Sequence, residues 1–294
     1  LESNMQDTFV KQASESDLIL IDKKVDTAAP WPAWAEQIIQ TGFAIVSISP
    51  GMQSDFEGLQ VLAGSVRFKD KQNFSFVERT DGYFPVGYSF LKEKENSDLC
   101  EIFNYWHRFK EDHQKYDFCK TDFYSRIASY EAQVSVYGQK IVDEICRKYE
   151  YTRPVLTRDD SYLQFNHYRE DLRLCRKRYL QGKHEDGHLI TVIKPNAPGL
   201  VIYRDGKECL VDLAKDQAIV IAGSLLTQLS DSDIQPVYHA VLNLTLPAAR
   251  SSIVYNVNVL AHSLPSFRAG ADIRMFELAN EQHLQFGHNP YVLG

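Results

Sequence analysis

The chain has 294 residues, a formal net charge of -7 and 44% hydrophobic residues, enough apolar material for one domain with a large core. The acidic balance excludes general nucleic-acid binding, which needs a basic surface to release counterions. No apolar run approaches the ~20 residues of a membrane-spanning helix, and no signal peptide is recognisable; a cytoplasmic protein with no membrane partner is expected.

Leu1-Glu2-Ser3-Asn4 ahead of Met5 reads as a cloning remnant, so a single domain over residues 5–294 is expected. Residues 18–22 form a short β-branched run. Pro30-Trp31-Pro32 punctuates before a helix over residues 33–40, which Gly42 ends. Residues 43–48 alternate as a strand does, closed by Pro50-Gly51. Phe56, Leu59, Leu62, Ala63 and Val66 recur at helical spacing. Residues 80–88, rich in glycine and aromatics, read as a loop packed under its own rings. The longest helix is expected over residues 122–149, where Phe123, Ile127, Tyr130, Val134, Tyr137, Ile141 and Ile145 march at intervals of three and four. Residues 5–150 are thus expected to be a mostly helical region packed on the core.

Residues 151–262 carry a different signal. Residues 187–193 and 218–222 are apolar β-rich runs, and residues 250–260 read as a strand. Within this half lie His184-Glu185-Asp186, then His239, then Arg250 and Ser252. Two histidines and one carboxylate can fill one face of an octahedron around Fe(II) and leave three positions open; the same donors also suit zinc. On a strand or its end, alternation places His184 and Asp186 on one face and Glu185 on the other. Arg250 offers a planar fork that matches a carboxylate. His167 and His188 are read as packing residues. Arg169, Arg173, Arg176, Lys177 and Arg178 are read as a solvated basic loop. Five scattered cysteines without a C-x-x-C pair imply reduced thiols. In the tail, residues 263–294, Ile273, Met275, Phe276 and Leu278 suggest a helix forming a partial lid.

The ordered series His184-x-Asp186, Pro198-Gly199-Leu200, Asp205-Gly206, the leucine segment from Gly223 to Ser230, His239 and Arg250-x-Ser252 resembles the 2-oxoglutarate/Fe(II)-dependent oxygenases of the isopenicillin N synthase-like family, over about residues 33–261. The resemblance implies an α+β, mainly β fold: a double-stranded β-helix (jelly roll) with flanking N-terminal helices. It implies Fe(II) on His184, Asp186 and His239, and 2-oxoglutarate as cosubstrate on Arg250 and Ser252, helped by the Asn-x-Tyr pair Asn166 and Tyr168. Two departures stand out: Ala240 follows the distal histidine where the family usually has arginine, and Gly223-Ser224 replaces a Gly-Asp. The implied activity is oxidation of a small-molecule substrate of specialised metabolism with O2, by hydroxylation, desaturation or cyclisation, through a ferryl oxidant with release of succinate and CO2. Asp186 disfavours halogenation, which needs that carboxylate replaced. An iron oxidase of the same fold that needs no 2-oxoglutarate, a non-catalytic metal- or ligand-binding β-barrel and a zinc hydrolase stay open as alternatives.

Overall fold

Strands with apolar residues on both faces and one long amphipathic helix set the architecture, which a computed structural model describes for residues 19–21, 31–89, 98–169, 177–244, 249–260 and 263–291. The remnant boundary expected at residues 1–5 therefore lies outside the described residues. Strand β1 (Ile19–Ile21) precedes helix α1 (Trp31–Thr41) and strand β2 (Phe43–Ser47). Helix α2 (Pro50–Ala63) starts six residues before its apolar spacing suggests. The Ser49 hydroxyl accepts the Met52 amide at 3.1 Å, and Pro50 occupies the first turn, where no amide partner is needed. Pro50 therefore opens a helix and does not merely close a strand.

Helix α3 (Phe68–Asn73) and strand β3 (Ser75–Phe76) lead into β4 (Asp81–Phe84), inside the segment expected to be a loop. The glycine signal there has another cause. A side chain on Gly82 would stand 2.3 Å from the Phe74 carbonyl oxygen, and its φ is +82°, so glycine marks a close backbone approach within a strand. Strand β5 (Glu101–Trp106), helix α4 (Lys110–His113) and helix α5 (Asp122–Lys148) follow. Thr121 caps α5 by accepting the Tyr124 amide.

The second half supplies β6 (Tyr162–Tyr168), β7 (Tyr179–His184), β8 (Ile190–Pro195), β9 (Leu200–Arg204), β10 (Lys207–Val211) and β11 (Gln217–Ala222). Then come helix α6 (Ser224–Leu229), β12 (His239–Leu242), β13 (Arg250–Val257), the short pair β14 (Leu264–Pro265) and β15 (Asp272–Ile273), and helix α7 (Met275–Gln285). The strand at Arg250 ends three residues earlier than expected, and the run before Ile190 is a bend.

Two sheets form the jelly roll. The larger runs β2-β11-β8-β13-β6-β5-β4-β3 and the smaller β1-β10-β9-β12-β7; all described pairs are antiparallel except β1 with β10. Four strands of the larger sheet come from the region expected to be mostly helical, so that region extends the core sheet as well as covering it. Alternation divides the sheet. Phe165, Val192, Val220, Ile253, Tyr255 and Val257 face outward and pack with Ile38, Phe56, Leu59, Ile127, Val134 and Ile141 of the helices. Gly138 lets α5 lie close to β13, because a side chain there would come within 2.8 Å of Val257. Inward-facing Ile193, Ile219 and Ile221 meet Leu200 and Ile202 of the smaller sheet. The four described cysteines are free thiols; Cys175 lies outside the described residues. No described helix is long and apolar enough to cross a membrane.

Candidate metal centre

Strand register brings the two histidines together. His184 is the last residue of β7, His239 the first of β12, and the two are direct partners across the antiparallel pair. Their rings stand 4.2 Å apart between centroids. Each ring is fixed through Nδ1, which hydrogen-bonds the carbonyl two residues earlier: Gly182 at 2.7 Å for His184 and Val237 at 3.2 Å for His239. That leaves both Nε2 atoms facing Asp186 Oδ1, at 3.7 and 3.8 Å. Backbone bonds to histidine in this way set tautomer and orientation for a metal.

Asp186 sits past the strand end, in a bend held by the turn before α6. The Ser224 amide donates to the Asp186 carbonyl at 2.9 Å, and the Leu225 amide to the His188 carbonyl at 3.2 Å. Gly223 makes this clamp possible, since a side chain there would lie 2.3 Å from the His188 carbonyl oxygen. The glycine that opens the leucine segment is thus a packing requirement of the ligand loop.

Burial pushes the Asp186 carboxyl up, but the imidazoles of His239, His184 and His188 outweigh it and hold the group below its usual range, hence ionised. Burial and the neighbouring His239 hold the His184 imidazole below its usual pKa, hence neutral. One carboxylate and two imidazoles converging within 4.8 Å fit a transition-metal ion with nitrogen and oxygen ligands. No other group of three such residues converges among the described residues.

Arg250 lines the same cavity, on β13 opposite Tyr168 of β6. It is only 1% exposed. Its guanidinium lies over the Tyr168 ring at 4.7 Å, and Nε donates a long 3.4 Å bond to the Pro198 carbonyl. Nη1 is buried without a partner, and burial lowers the pKa of the group. Gly199, at φ +124°, carries the chain past this arginine; a side chain there would sit 3.6 Å from its Nε. Ser252 and Asn166 line the cavity beside it, with Asn166 Nδ2 3.5 Å from Ser252 Oγ. Tyr168 is occupied differently: its hydroxyl donates to Gln181 at 2.6 Å, and Gln181 in turn donates to Asp98 at 3.0 Å. Burial, partly opposed by Gln181 and His184, pushes the Asp98 carboxyl up to about 6.

Other expected roles change. His188 was expected to be a packing residue, but it lines the cavity, with Nδ1 buried and unpartnered. His167 hydrogen-bonds Ser251 and stays outside the cavity; Glu185 is outside it too. Of the basic cluster, Arg169 pairs with Glu101 and Arg178 with Glu208, while Arg173 and Arg176 lie outside the described residues. The tail was under-read. Ala279, Gln282, His283, Phe286, His288 and Tyr291 all line the cavity, and Phe286 meets His184 edge to face at 5.4 Å.

No family model and no curated protein matches the sequence. Solved structures do match. A full-length Neurospora crassa protein crystallised with alpha-KG superposes with a TM-score of 0.69 at 16% identity, covering 85% of this chain and 88% of that one. The rice dioxygenase for auxin oxidation gives 0.64 at 14%, covering 88% and 90%. Its Arabidopsis thaliana namesake, solved as a 2-oxoglutarate complex, gives 0.61 at 14%, covering 82% and 92%. The fold is that of the 2-oxoglutarate/Fe(II) oxygenases. Within this fold the triad and the arginine line one cavity, to which strands of both sheets contribute.

Proposed function

We propose that the protein is an Fe(II)- and 2-oxoglutarate-dependent oxygenase of a small molecule. The observation that carries this reading is Arg250: a buried guanidinium without a carboxylate partner among the described residues, in the cavity that holds the triad. An unpaired buried charge is costly, and an anion relieves it. The planar fork suits a carboxylate in two-point contact. 2-Oxoglutarate has a carboxylate at each end and a keto group beside one of them, so one end can meet Arg250 while the other chelates the metal. Neighbours of this fold solved with alpha-KG or 2-oxoglutarate support the same assignment.

Iron bound there would supply activation of O2 coupled to oxidative decarboxylation of the cosubstrate. His184, Asp186 and His239 would hold it on one face and keep the opposite face open. Arg250 and Ser252 would fix the far carboxylate, the Tyr168 ring would support the guanidinium, and Asn166 would steady Ser252. The tail would exclude water and hold the target carbon near the open face. Which hydrogen lies nearest then decides between hydroxylation, desaturation and cyclisation.

Purified protein given Fe(II), 2-oxoglutarate and O2 should form one succinate per O2 consumed. Substrate oxidation without any 2-oxoglutarate would move the assignment to an oxidase. A protein that holds metal but consumes no O2 with a broad substrate panel would be a binding protein.

A further inference from the structure

The charged groups that line the cavity do not balance once metal and cosubstrate are in place. Among the described residues they are Asp186, Arg250 and Asp98. A ferrous ion carries two positive charges, which Asp186 and the near carboxylate of 2-oxoglutarate meet. The far carboxylate is met by Arg250. Asp98 is left without an opposite charge, and it stands outside the ligand set of the metal.

The chain presents this carboxylate on fixed backbone. The Asp98 amide donates to the Ser89 carbonyl at 2.8 Å, its carbonyl accepts the Gly87 amide at 3.1 Å, and the Leu99 amide donates to the Leu180 carbonyl of β7 at 2.9 Å. The residue is half-buried on the cavity wall. Its one side-chain partner among the described residues is Gln181, whose Nε2 donates at 3.0 Å. Gln181 is itself oriented by the Tyr168 hydroxyl, which occupies its Oε1. A carboxylate can accept about four bonds, so one neutral donor leaves it largely unsatisfied. Aligning Gln181 alone would need only a carboxamide in this place, without the cost of a charge.

The surroundings supply no cation. Lys177 acts on Asp98 from a distance, is exposed and does not line the cavity. His288, bonded to the Ser89 hydroxyl, is held by burial at about 4 and is neutral. The Asp98 carboxyl is pushed up only to about 6, so it is ionised above that pH. Phe286 lines the same space, and an aromatic face also attracts a cation.

We infer that the substrate is a small amine, protonated at neutral pH, whose ammonium group is anchored by Asp98 as the specificity-determining residue. The inference rests on the oxygenase reading, because the unmatched charge is defined as what metal and cosubstrate leave over. A carboxylic acid would meet like charge on this wall, and a neutral compound would leave the carboxylate desolvated and unpaired.

The test is calorimetric titration of the anaerobic Fe(II)- and 2-oxoglutarate-loaded protein with benzylamine and butylamine. Each is run beside its neutral and anionic counterparts, benzyl alcohol and benzoate for the first, butanol and butyrate for the second. The tighter-binding amine should exceed both of its counterparts at least tenfold. Asp98→Asn keeps an acceptor for Gln181 and removes the charge; it should weaken that amine at least tenfold while leaving iron, 2-oxoglutarate and alcohol affinities unchanged. Absence of amine binding to the loaded protein, an alcohol or carboxylate binding as well as its amine, or unchanged amine affinity in Asp98→Asn would overturn the inference. Failure of the parent protein to bind iron or 2-oxoglutarate at all would instead overturn the oxygenase reading.

Discussion

Two buried charges, Glu131 and Arg250, one on each side of the larger sheet, show what burial alone does not say. On the outer side, Glu131 of α5 is 1% exposed and accepts two bonds from Arg158, at 3.1 and 2.9 Å. Its charge is matched within the chain, and the pair ties the helix to the loop before β6. On the inner side, Arg250 is equally buried, has one long bond to a backbone carbonyl and keeps Nη1 unpartnered. A buried charge with its partner in the same chain is a structural joint. A buried charge without one marks the place of a ligand, because the desolvation cost must be offset by something that binds.

The sharpest break of this contrast is at the metal ligands. His184→Ala, Asp186→Ala and His239→Ala should each abolish iron-dependent turnover while circular dichroism still reports a folded chain; near-normal ferrous affinity in any one of them would refute the triad. Next comes Arg250→Ala. Removing one member of a desolvated charge pair costs ~2–5 kcal/mol, roughly one to four decades of affinity. The 2-oxoglutarate concentration for half-maximal activity should therefore rise at least tenfold, with Arg250→Lys in between and iron affinity little changed. An unaltered 2-oxoglutarate dependence would make the inner arginine another structural joint.

The outer pair should respond in the opposite way. Arg158 is partly exposed, so the ~3–5 kcal/mol typical of a fully buried pair is discounted to about 1–2 kcal/mol for Glu131→Gln. That is a fall of several degrees in melting temperature, with cosubstrate dependence unmoved; a shift in that dependence would couple the two sides. A pH-dependent effect concerns Asp98, which is only half matched, by Gln181. Its folded pKa of about 6 lies above the ordinary carboxyl value, so the folded state holds the proton more tightly. Stability should therefore decline as pH rises from about 4 to about 6, by at most about 3 kcal/mol for a shift of about two units, and Asp98→Asn should flatten that slope in chemical denaturation.

What could be read from the sequence follows the same division. The triad and Arg250 were legible because they belong to short motifs whose order and spacing are set by strands and turns. Their environment was not: that Nη1 of Arg250 lacks a partner depends on what the rest of the sheet brings near it. The helices over 33–40 and 122–149 showed themselves through periodicity, whereas α2 was read six residues short because its start depends on the Ser49 cap and Pro50 and not on apolar spacing. Strand β4 was missed because Gly82 signals turn and close approach alike. The side of the cavity that the tail lines was illegible in principle. Its contacts join Ser89 to His288 and His188 to Tyr291, residues 199 and 103 positions apart, and the only local hint was the density of His283, His288 and Tyr291 in a tail read for its apolar residues.

The direct pairing of His184 with His239 has a consequence for how the barrel holds shut. The β7–β12 ladder slips register twice just beyond these residues, between His239 and Val241 and again between Val241 and Leu242, so its backbone pairing is irregular next to the ligands. An ion shared by both rings would act as a staple across two strands whose ends are fifty-five residues apart in the chain. At a free concentration a hundredfold above its dissociation constant such an ion adds ~2.7 kcal/mol to the folded state. Chelation should then loosen this edge of the smaller sheet before any other part, and amide exchange in Tyr179–His184 and His239–Leu242 should quicken while that in Arg250–Val257 stays slow.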